Sequence, residues 1–263
     1  MDQQILNEMT VLNNELVNTK RLLVKQNIEI NKLNKQLQFI NADLLQFTYV
    51  VSHDLKEPLR MVTSFMELLK SRHGNELDEK AKVYIDYAVD GGRRMQKMID
   101  DLLELSRIGR ENSVKEFVDI NVIVKEVKEN ILKLTEETGV EIIIKTELPV
   151  LPVYRSDIIR LIQNLLSNAI KFRKKDITPV IYLTAKEEKD AWLFSIEDNG
   201  IGVEKENFEK IFEIFNRLHG RESYEGSGIG LAVCKKVVQH HGGTIWIESE
   251  EGKGSTFYFK LLK

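Results

Sequence analysis

Apolar residues recur at alternating spacings of four and three through the first fifty positions. The series runs Ile5, Met9, Leu12, Leu16, Thr19, Leu23, Gln26, Ile30, Leu33, Leu37, Ile40, Leu44, Phe47 and Val51, with only Thr19 and Gln26 polar. Such a repeat places one apolar stripe on a helix and lets two helices supercoil. Because no glycine occurs before Gly74, the pattern predicts one long helix in a parallel dimeric coiled coil. Taken alone, this segment is best interpreted as a passive dimerisation rod.

The rhythm changes where Val51, Leu55 and Leu59 follow one another at spacings of four. Consecutive fours form a stutter, which locally unwinds a left-handed supercoil. A loop over residues 71–78 is predicted next, with Asp78 as N-cap of a second helix. The stripe of that helix is Ala81, Tyr84, Ala88, Gly91, Met95, Met98, Leu102, Leu105 and Ile108. Two such helices per chain predict a four-helix bundle in a homodimer.

His53 lies inside the stutter, two residues after Val51. A helix turns by about 100° per residue, so this imidazole is expected to face water, away from the apolar seam. Pro58 follows one turn later and predicts a kink. The remaining histidines are interpreted as surface or packing residues; they are His73, His219, His240 and His241.

Composition excludes several classes of protein. A net charge of -3 argues against a nucleic-acid partner, and one cysteine excludes a disulfide framework or a multi-cysteine metal site. The polar N-terminus does not resemble a secretory signal, and no apolar run approaches the roughly 20 residues of a membrane span. We therefore expect a cytoplasmic chain with no direct membrane contact.

The second half has a different character, because ten of the fifteen glycines lie between Gly200 and Gly254. Hairpin-type strands mixed with helices predict an α/β sandwich with a mixed sheet. The predicted helices cover 121–138, 155–172 and 228–241, and the predicted strands cover 141–145, 179–187, 191–198, 244–249 and 255–262.

Three patches in this half indicate chemistry. On the predicted helix 155–172, Asn164, Asn168 and Lys171 are spaced four and three and share one face. Asparagine is unfavourable inside a helix, so one interpretation is a binding site in which the amide oxygens bind a cation and the lysine ammonium binds phosphate. The other interpretation is a solvated polar face.

The second and third patches are loops. In EDNGIGV (197–203), Asp198 can accept a hydrogen bond from an amine, although Asn-Gly is also an ordinary turn dipeptide. GSGIGL (226–231) opens a helix, where free amides and the helix dipole favour phosphate. The pattern is neither a P-loop nor a dinucleotide fingerprint.

Together these segments resemble sensor histidine kinases. SHDLKEPL, NLLSNAIKF, DNGIG, FEKIFEIF and GSGIGLAVCKKVVQHHGG are similar, in order, to the H, N, G1, F and G2 boxes of that family, and GKGSTFYF to its closing segment. The H box resembles the variant of phytochrome-like and other PAS-linked bacterial kinases. The resemblance implies a coiled-coil signalling helix over 1–46, a dimerisation and histidine-phosphotransfer domain over 47–112, and a catalytic domain of the Bergerat ATP-binding fold over 113–263.

The resemblance also implies roles for individual residues. His53 would accept a phosphoryl group from ATP, Asp54 would be its general base, and Lys56 would contact the γ-phosphate. The implied partners are a second copy of the chain, a response-regulator receiver domain, and an upstream sensor domain in a longer parent protein.

The implied nucleotide site holds ATP and Mg²⁺. Asn168 would ligate Mg²⁺, with Asn164 beside it and Lys171 on phosphate, while Asp198 would read the adenine amine. Glycines would shape the base pocket (Gly200, Gly202) and form the hinge of a lid that cradles phosphates (Gly226, Gly228, Gly230). Phe212 and Phe215 would anchor that lid, and the Thr256 hydroxyl would lie near adenine.

Two other functions stay open on sequence alone: a non-catalytic dimeric nucleotide-binding scaffold and a Bergerat-fold ATPase. Hydrolysing relatives have a glutamate where this chain has Asn164, which disfavours the ATPase. Kinases that also dephosphorylate their partner usually have Thr or Asn four residues after the histidine, where this chain has Glu57. Weak or absent phosphatase activity is therefore expected.

Overall fold

A single helix, α1, runs from Asp2 to His73 and forms most of the N-terminal part of the molecule. The computed structural model describes residues 2–109, 114–216, 218 and 226–263. By internal contacts the chain divides into residues 1–53 and residues 54–263, and α1 belongs to both parts. The helix continues through Pro58 without a break.

The predicted seam of α1 is exposed in one chain wherever its side chains are described. Met9, Leu12 and Leu16 are each about two-thirds exposed, at 68%, 69% and 66%. The side chains of Ile5, Leu37, Leu44 and Phe47 lie outside the described residues. A row of exposed apolar side chains at this spacing agrees with a seam that a second helix would cover. With a single chain described, the coiled coil stays a prediction.

Helix α2 (Glu79–Arg107) folds back along α1 after a short turn. Asp78 is its N-cap, as predicted, and accepts a hydrogen bond from the Ala81 N–H at 2.7 Å. Arg93 and Glu67 form an ion pair of 2.6 Å between the two helices. These contacts establish the helical hairpin that half of a four-helix bundle requires.

The remaining elements form an α/β domain. The helices are α3 (Ile120–Asn130), α4 (Leu132–Thr138), α5 (Arg155–Lys171) and α6 (Gly230–His240). The strands are β1 (Glu116–Asp119), β2 (Glu141–Ile144), β3 (Val150–Val153), β4 (Val180–Glu187), β5 (Ala191–Asp198), β6 (Ile245–Glu250) and β7 (Gly254–Leu262).

Five of the strands make one mixed sheet in the order β2-β4-β5-β7-β6. The β2–β4 pair is parallel and the other pairs are antiparallel. The predicted β4–β5 hairpin and the mixed sheet are thus confirmed. Strands β1 and β3 form a separate antiparallel pair.

The core lies between one face of the large sheet and the helices α3, α5 and α6. Phe194 and Phe259 face each other across β5 and β7 with ring centroids 4.9 Å apart. On α5, Leu161 and Leu165 are fully buried. Alternation along the strands leaves the opposite sheet face partly open to solvent.

Several elements differ from the sequence-based prediction. Residues 121–138 form two helices rather than one, because the backbone turns at the buried Ile131, just after Asn130, which is unfavourable inside a helix. Strands β1 and β3 were not predicted, since EFVD and the proline-containing VLPV lack the β-branched run that marked β2. The predicted boundary at 112/113 falls within residues 110–113, outside the described part of the chain. Among the described residues, no helix has the length and apolar character of a membrane span.

Candidate nucleotide and phosphoacceptor sites

A cavity of about 410 Å³ opens between α5, the ends of β5 and β7, and the glycine-rich segment before α6. Most of the site residues predicted from sequence line it. Those residues are Asn164, Asn168, Lys171, Asp198, Gly202, Gly226, Gly228 and Gly230. Side chains distant in sequence therefore converge on one concave space.

Helix α5 positions the polar side of the cavity. Its buried face packs into the core, which turns Asn164 and Asn168 toward the opening. The side-chain N–H of Asn164 donates to the Arg160 carbonyl at 3.0 Å. This bond fixes the amide so that its oxygen is the group available for a ligand. At the helix end, the Lys171 ammonium lies 4.4 Å from the centre of the Phe172 ring.

Asp198 ends strand β5 at the other side of the cavity. Its Oδ1 atom accepts hydrogen bonds from the backbone N–H groups of Gly200 at 2.8 Å and Ser255 at 3.3 Å. Burial raises the pKa of this carboxyl group to about 6, although both backbone bonds act to lower it. The result is an oriented, partly buried carboxylate, which suits recognition of an amine.

Glycine is required at two points of the cavity wall by close approach. A Cβ atom on Gly230 would lie 2.9 Å from the Asn164 amide oxygen and would block the start of α6 from α5. Gly202 has φ +75°, and a Cβ there would overlap the Glu250 carbonyl. The backbone amides at the start of α6 consequently stand at the cavity, where an anion is favoured.

Four of the predicted nucleotide-site residues are not among those that line the cavity: Gly200, Phe212, Phe215 and Thr256. Thr256 lies on the opposite face of β7, because side chains alternate along a strand, and Ser255 and Phe257 line the cavity instead. The prediction for the Thr256 hydroxyl is corrected on this ground. Gly200 contributes its N–H to Asp198 rather than a surface.

The two predicted lid anchors differ from each other. Phe212 is buried and meets the cavity-lining Phe257 edge to face, with ring centroids 6.5 Å apart. Phe215 is 56% exposed with φ +65°, and its backbone N–H donates to the Gly228 carbonyl at 3.1 Å. Phe212 is therefore the more deeply packed member of the pair.

Sequence reasoning missed a wall of the cavity built from α2. Lys97, Asp101 and Glu104 line it, and the Arg160 Nε atom pairs with Glu104 at 3.0 Å. Their spacing of four and three along α2 was the available signal. Nothing in a single sequence links that stripe to α5.

The phosphoacceptor segment lies on α1. His53 is exposed, as predicted, and so are Asp54 and Glu57. Lys56 forms an ion pair with Asp100 of α2. This ion pair holds the Lys56 side chain against α2.

The histidines near the end of α6 are packing residues, as predicted. His241 is buried, its Nδ1 atom bonds the Val237 carbonyl at 2.8 Å, and its Nε2 atom accepts the Tyr154 N–H at 3.2 Å. Burial lowers the pKa of this imidazole. His240 pairs with the buried Asp157 at 3.0 Å. These three side chains are close enough for a metal, but both ring nitrogens of His241 are already engaged.

His73 is exposed and pairs with Glu76, whereas His219 lies outside the described residues.

Comparison with known proteins gives two family matches. Residues 43–111 match the His Kinase A (phospho-acceptor) domain, and residues 154–263 match the histidine kinase-, DNA gyrase B-, and HSP90-like ATPase. The phytochrome-like protein Cph1 of Synechocystis sp. is 42% identical over 91% of this chain, which corresponds to 32% of Cph1. The chain spans about a third of the length of the curated phytochromes it matches.

Two solved structures share the fold. Full-length ShkA in complex with AMPPNP has a TM-score of 0.62 and 25% identity, covering 82% of this chain and 45% of ShkA. Histidine kinase ThkA in complex with response regulator protein TrrA has a TM-score of 0.56 and 24% identity, covering 83% of this chain and 61% of that one.

Proposed function

The chain belongs to the histidine kinase family, with a phospho-acceptor domain followed by an ATPase-type domain, and on this premise we propose that it is an ATP-dependent protein-histidine kinase. It autophosphorylates His53 and donates the phosphoryl group to an aspartate of a response regulator. The observation that carries the proposal is the single cavity that joins Asp198, Asn164, Asn168 and the glycine-rich rim.

The two ends of the cavity suit the two ends of ATP. Asp198, held by two backbone amides, accepts a hydrogen bond from the adenine amine. Lys171 and the amides at the start of α6 contact the phosphates, where ammonium and helix dipole neutralise negative charge. A cavity of about 410 Å³ is in the range of nucleotide-sized sites.

Asn168 is the residue that would hold Mg²⁺. Its amide oxygen is a hard ligand on the cavity wall, and Mg²⁺ is commonly bound by one or two protein oxygens together with substrate phosphates. When bound, the metal neutralises charge on the phosphates. Asn164 and Lys171 lie on the same side of α5 and orient the phosphate chain.

The transfer forms a nitrogen–phosphorus bond at His53 and breaks the bond between the γ-phosphorus and the bridging oxygen, so that ADP leaves. Asp54 accepts the proton of the other ring nitrogen as the attacking nitrogen bonds to phosphorus, so that the ring does not keep a positive charge. Such a reaction depends mainly on positioning and on charge neutralisation. Asn164 provides no base for water, and this supports transfer over hydrolysis.

The proposed assembly is a homodimer within a longer parent protein. Exposed apolar residues on α1, such as Leu55, Val62 and Phe65, support a bundle completed by a second chain. The exposed seam of α1 supports a coiled coil that connects the bundle to an upstream sensor. ThkA, captured with its response regulator, supports a receiver domain as the acceptor.

Incubation with γ-³²P-ATP separates this proposal from the two other functions. A kinase takes up label that is stable to base and labile to acid, with stoichiometry near one group per chain at most. An ATPase releases labelled phosphate without retaining it, and a scaffold binds ATP without either change. Label absent from the protein despite nucleotide binding would contradict the proposed function.

A further inference from the structure

The end of α2 is docked against the α/β domain beside the nucleotide cavity. Leu105 and Ile108 are buried in the core of that domain. The Lys236 ammonium of α6 donates to the Leu105 carbonyl at 2.7 Å. As a result Glu104 lies at the cavity wall, although it belongs to the bundle.

Arg160 connects this helix end to the cavity. Its Nε atom lies 3.0 Å from the Glu104 carboxylate, and its Nη1 atom lies 3.9 Å from Asp157. The arginine and Glu104 side chains are 24% and 34% exposed. The ion pair is therefore partly shielded from solvent, and it stands where a ligand in the cavity can reach it.

The position of Arg160 along α5 corresponds to the far end of a nucleotide. Asp198 lies near the C-terminal end of α5, where the Ile201 N–H donates to the Phe172 carbonyl at 3.0 Å. Asn168, Asn164 and Arg160 follow toward the N-terminus at intervals of four residues on one face. At 1.5 Å per residue, Arg160 is about 12 Å from Asn168 along the axis. A chain of phosphates that begins near Lys171 ends at this side.

We propose that Arg160 is a further phosphate-binding residue, which exchanges Glu104 for the terminal phosphate of a bound nucleoside triphosphate. The inference rests on the proposed function, because it requires a nucleotide with its base at Asp198. A guanidinium binds phosphate oxygens in the same bidentate manner in which it binds a carboxylate. The terminal phosphate and the Glu104 carboxylate therefore compete for Arg160. A diphosphate is too short to compete, and Arg160 thus distinguishes ATP from ADP.

The exchange also affects α2. Burial raises the pKa of Glu104, and the charge of Arg160 acts in the opposite direction. When Arg160 turns to phosphate, Glu104 keeps its burial but loses this partner. Triphosphate binding therefore weakens the docking of the α2 end on the α/β domain.

Isothermal titration of the full chain with AMPPNP and with ADP tests the inference. Arg160→Gln is expected to weaken AMPPNP binding about tenfold, in keeping with loss of a charged hydrogen bond, and to change ADP binding less than twofold. Glu104→Gln is expected to strengthen AMPPNP binding severalfold, and only when Arg160 is present. Glu137→Gln, an exposed carboxylate on α4, is the control for net charge.

Equal losses for both nucleotides in Arg160→Gln would overturn the inference, as would a Glu104→Gln effect that persists in the double variant. Wild-type chain that binds neither nucleotide would instead contradict the proposed function itself, and this inference with it. Thermal unfolding of each variant shows whether it is folded before its affinity is compared.

Discussion

The backbone N–H of Gly200 donates to the Oδ1 atom of Asp198 at 2.8 Å. This bond between residues two apart on a tight loop fixes the orientation of the Asp198 carboxylate. It also stabilises the ionised form, which burial disfavours. The same loop places glycine where a Cβ would lie 2.6 Å from the Phe172 carbonyl. The loop after β5 thus ties the Asp198 carboxylate to the end of α5.

The pH dependence of adenine-nucleotide affinity tests this carboxylate. Because the pKa of Asp198 is raised to about 6, the ionised acceptor is present above that pH and is lost below it. Affinity for ADP should be constant above the pKa and fall by up to about tenfold per pH unit below it. Asp198→Asn should bind ADP weakly at every pH, and any pH dependence that remains in this variant reports protonation of the ADP phosphates. Asp190→Asn, on the exposed β4–β5 turn, is the control; a wild-type profile unchanged between pH 7 and 5 would contradict this role.

The same raised pKa has a consequence for stability without nucleotide. Between pH 3.8 and about 6 the folded chain binds the Asp198 proton more tightly than the unfolded chain does. The contribution of this group to the free energy of unfolding therefore decreases as pH rises through that window. Urea unfolding across this pH window should show the free energy of unfolding of the wild type fall relative to that of Asp198→Asn as pH rises. A constant difference would show that the pKa is not shifted.

Two adjacent glycines in α2 offer a matched pair for the bundle. A Cβ on Gly92 would overlap the Thr63 hydroxyl, which donates to the Leu59 carbonyl at 2.9 Å, whereas a Cβ on Gly91 has only Arg94 Nη2 nearby, at 3.8 Å. Gly92→Ala should lower the free energy of unfolding by about 1–3 kcal/mol through overpacking. Gly91→Ala should raise it by up to about 1 kcal/mol through helix propensity. Chemical denaturation measures both, and equal effects would mean that α1 and α2 do not approach closely at Gly92.

Glu57 predicts weak or absent phosphatase activity. Glu57 carries a negative charge four residues after the phosphoacceptor. This charge should repel the phosphoaspartate of the receiver and the negative charge that develops on the attacking water. Dephosphorylation of a phosphorylated receiver should be slow with wild type and faster with Glu57→Thr. Autophosphorylation should be similar in both. Rapid receiver dephosphorylation by wild-type chain would show that Glu57 does not have this effect.

Insertions in α1 test whether the coiled coil transmits a signal. One to seven residues added between Val24 and Phe47 rotate the upstream helix by about 100° per residue relative to the bundle. Kinase output should vary with insertion length and return toward wild type at seven residues, because a heptad restores the seam. Output independent of phase would favour a passive dimerisation rod. Circular dichroism confirms that helicity is kept in each variant.

Local patterns predicted much of this molecule because their physical causes are local. The cap at Asp78 and the polar face of α5 follow from spacing within a few residues, and both are present. The loop after β5 was recognised from Asp198 and its glycines for the same reason. Strand β1 was missed because its four residues, EFVD, contain no run of β-branched residues like the three isoleucines that marked β2.

The incorrect assignments have a different origin. Thr256 was placed near adenine by resemblance, but the register of β7 with β5 turns Ser255 and Phe257 to the cavity. The pair of Glu104 with Arg160 joins α2 to α5, and no periodicity of either helix contains that contact. Side-chain direction across a sheet and pairing between helices distant in sequence are properties of the tertiary fold, so a single sequence does not specify them.

The most direct measurement of the central claim is acid-labile phosphorylation from γ-³²P-ATP in wild type, His53→Ala and His73→Ala. His73 is a matched control, since it is an exposed histidine near the end of the same helix. Wild type and His73→Ala should be fully labelled and His53→Ala should not be labelled, with all three binding ATP equally. Normal labelling of His53→Ala would contradict that claim.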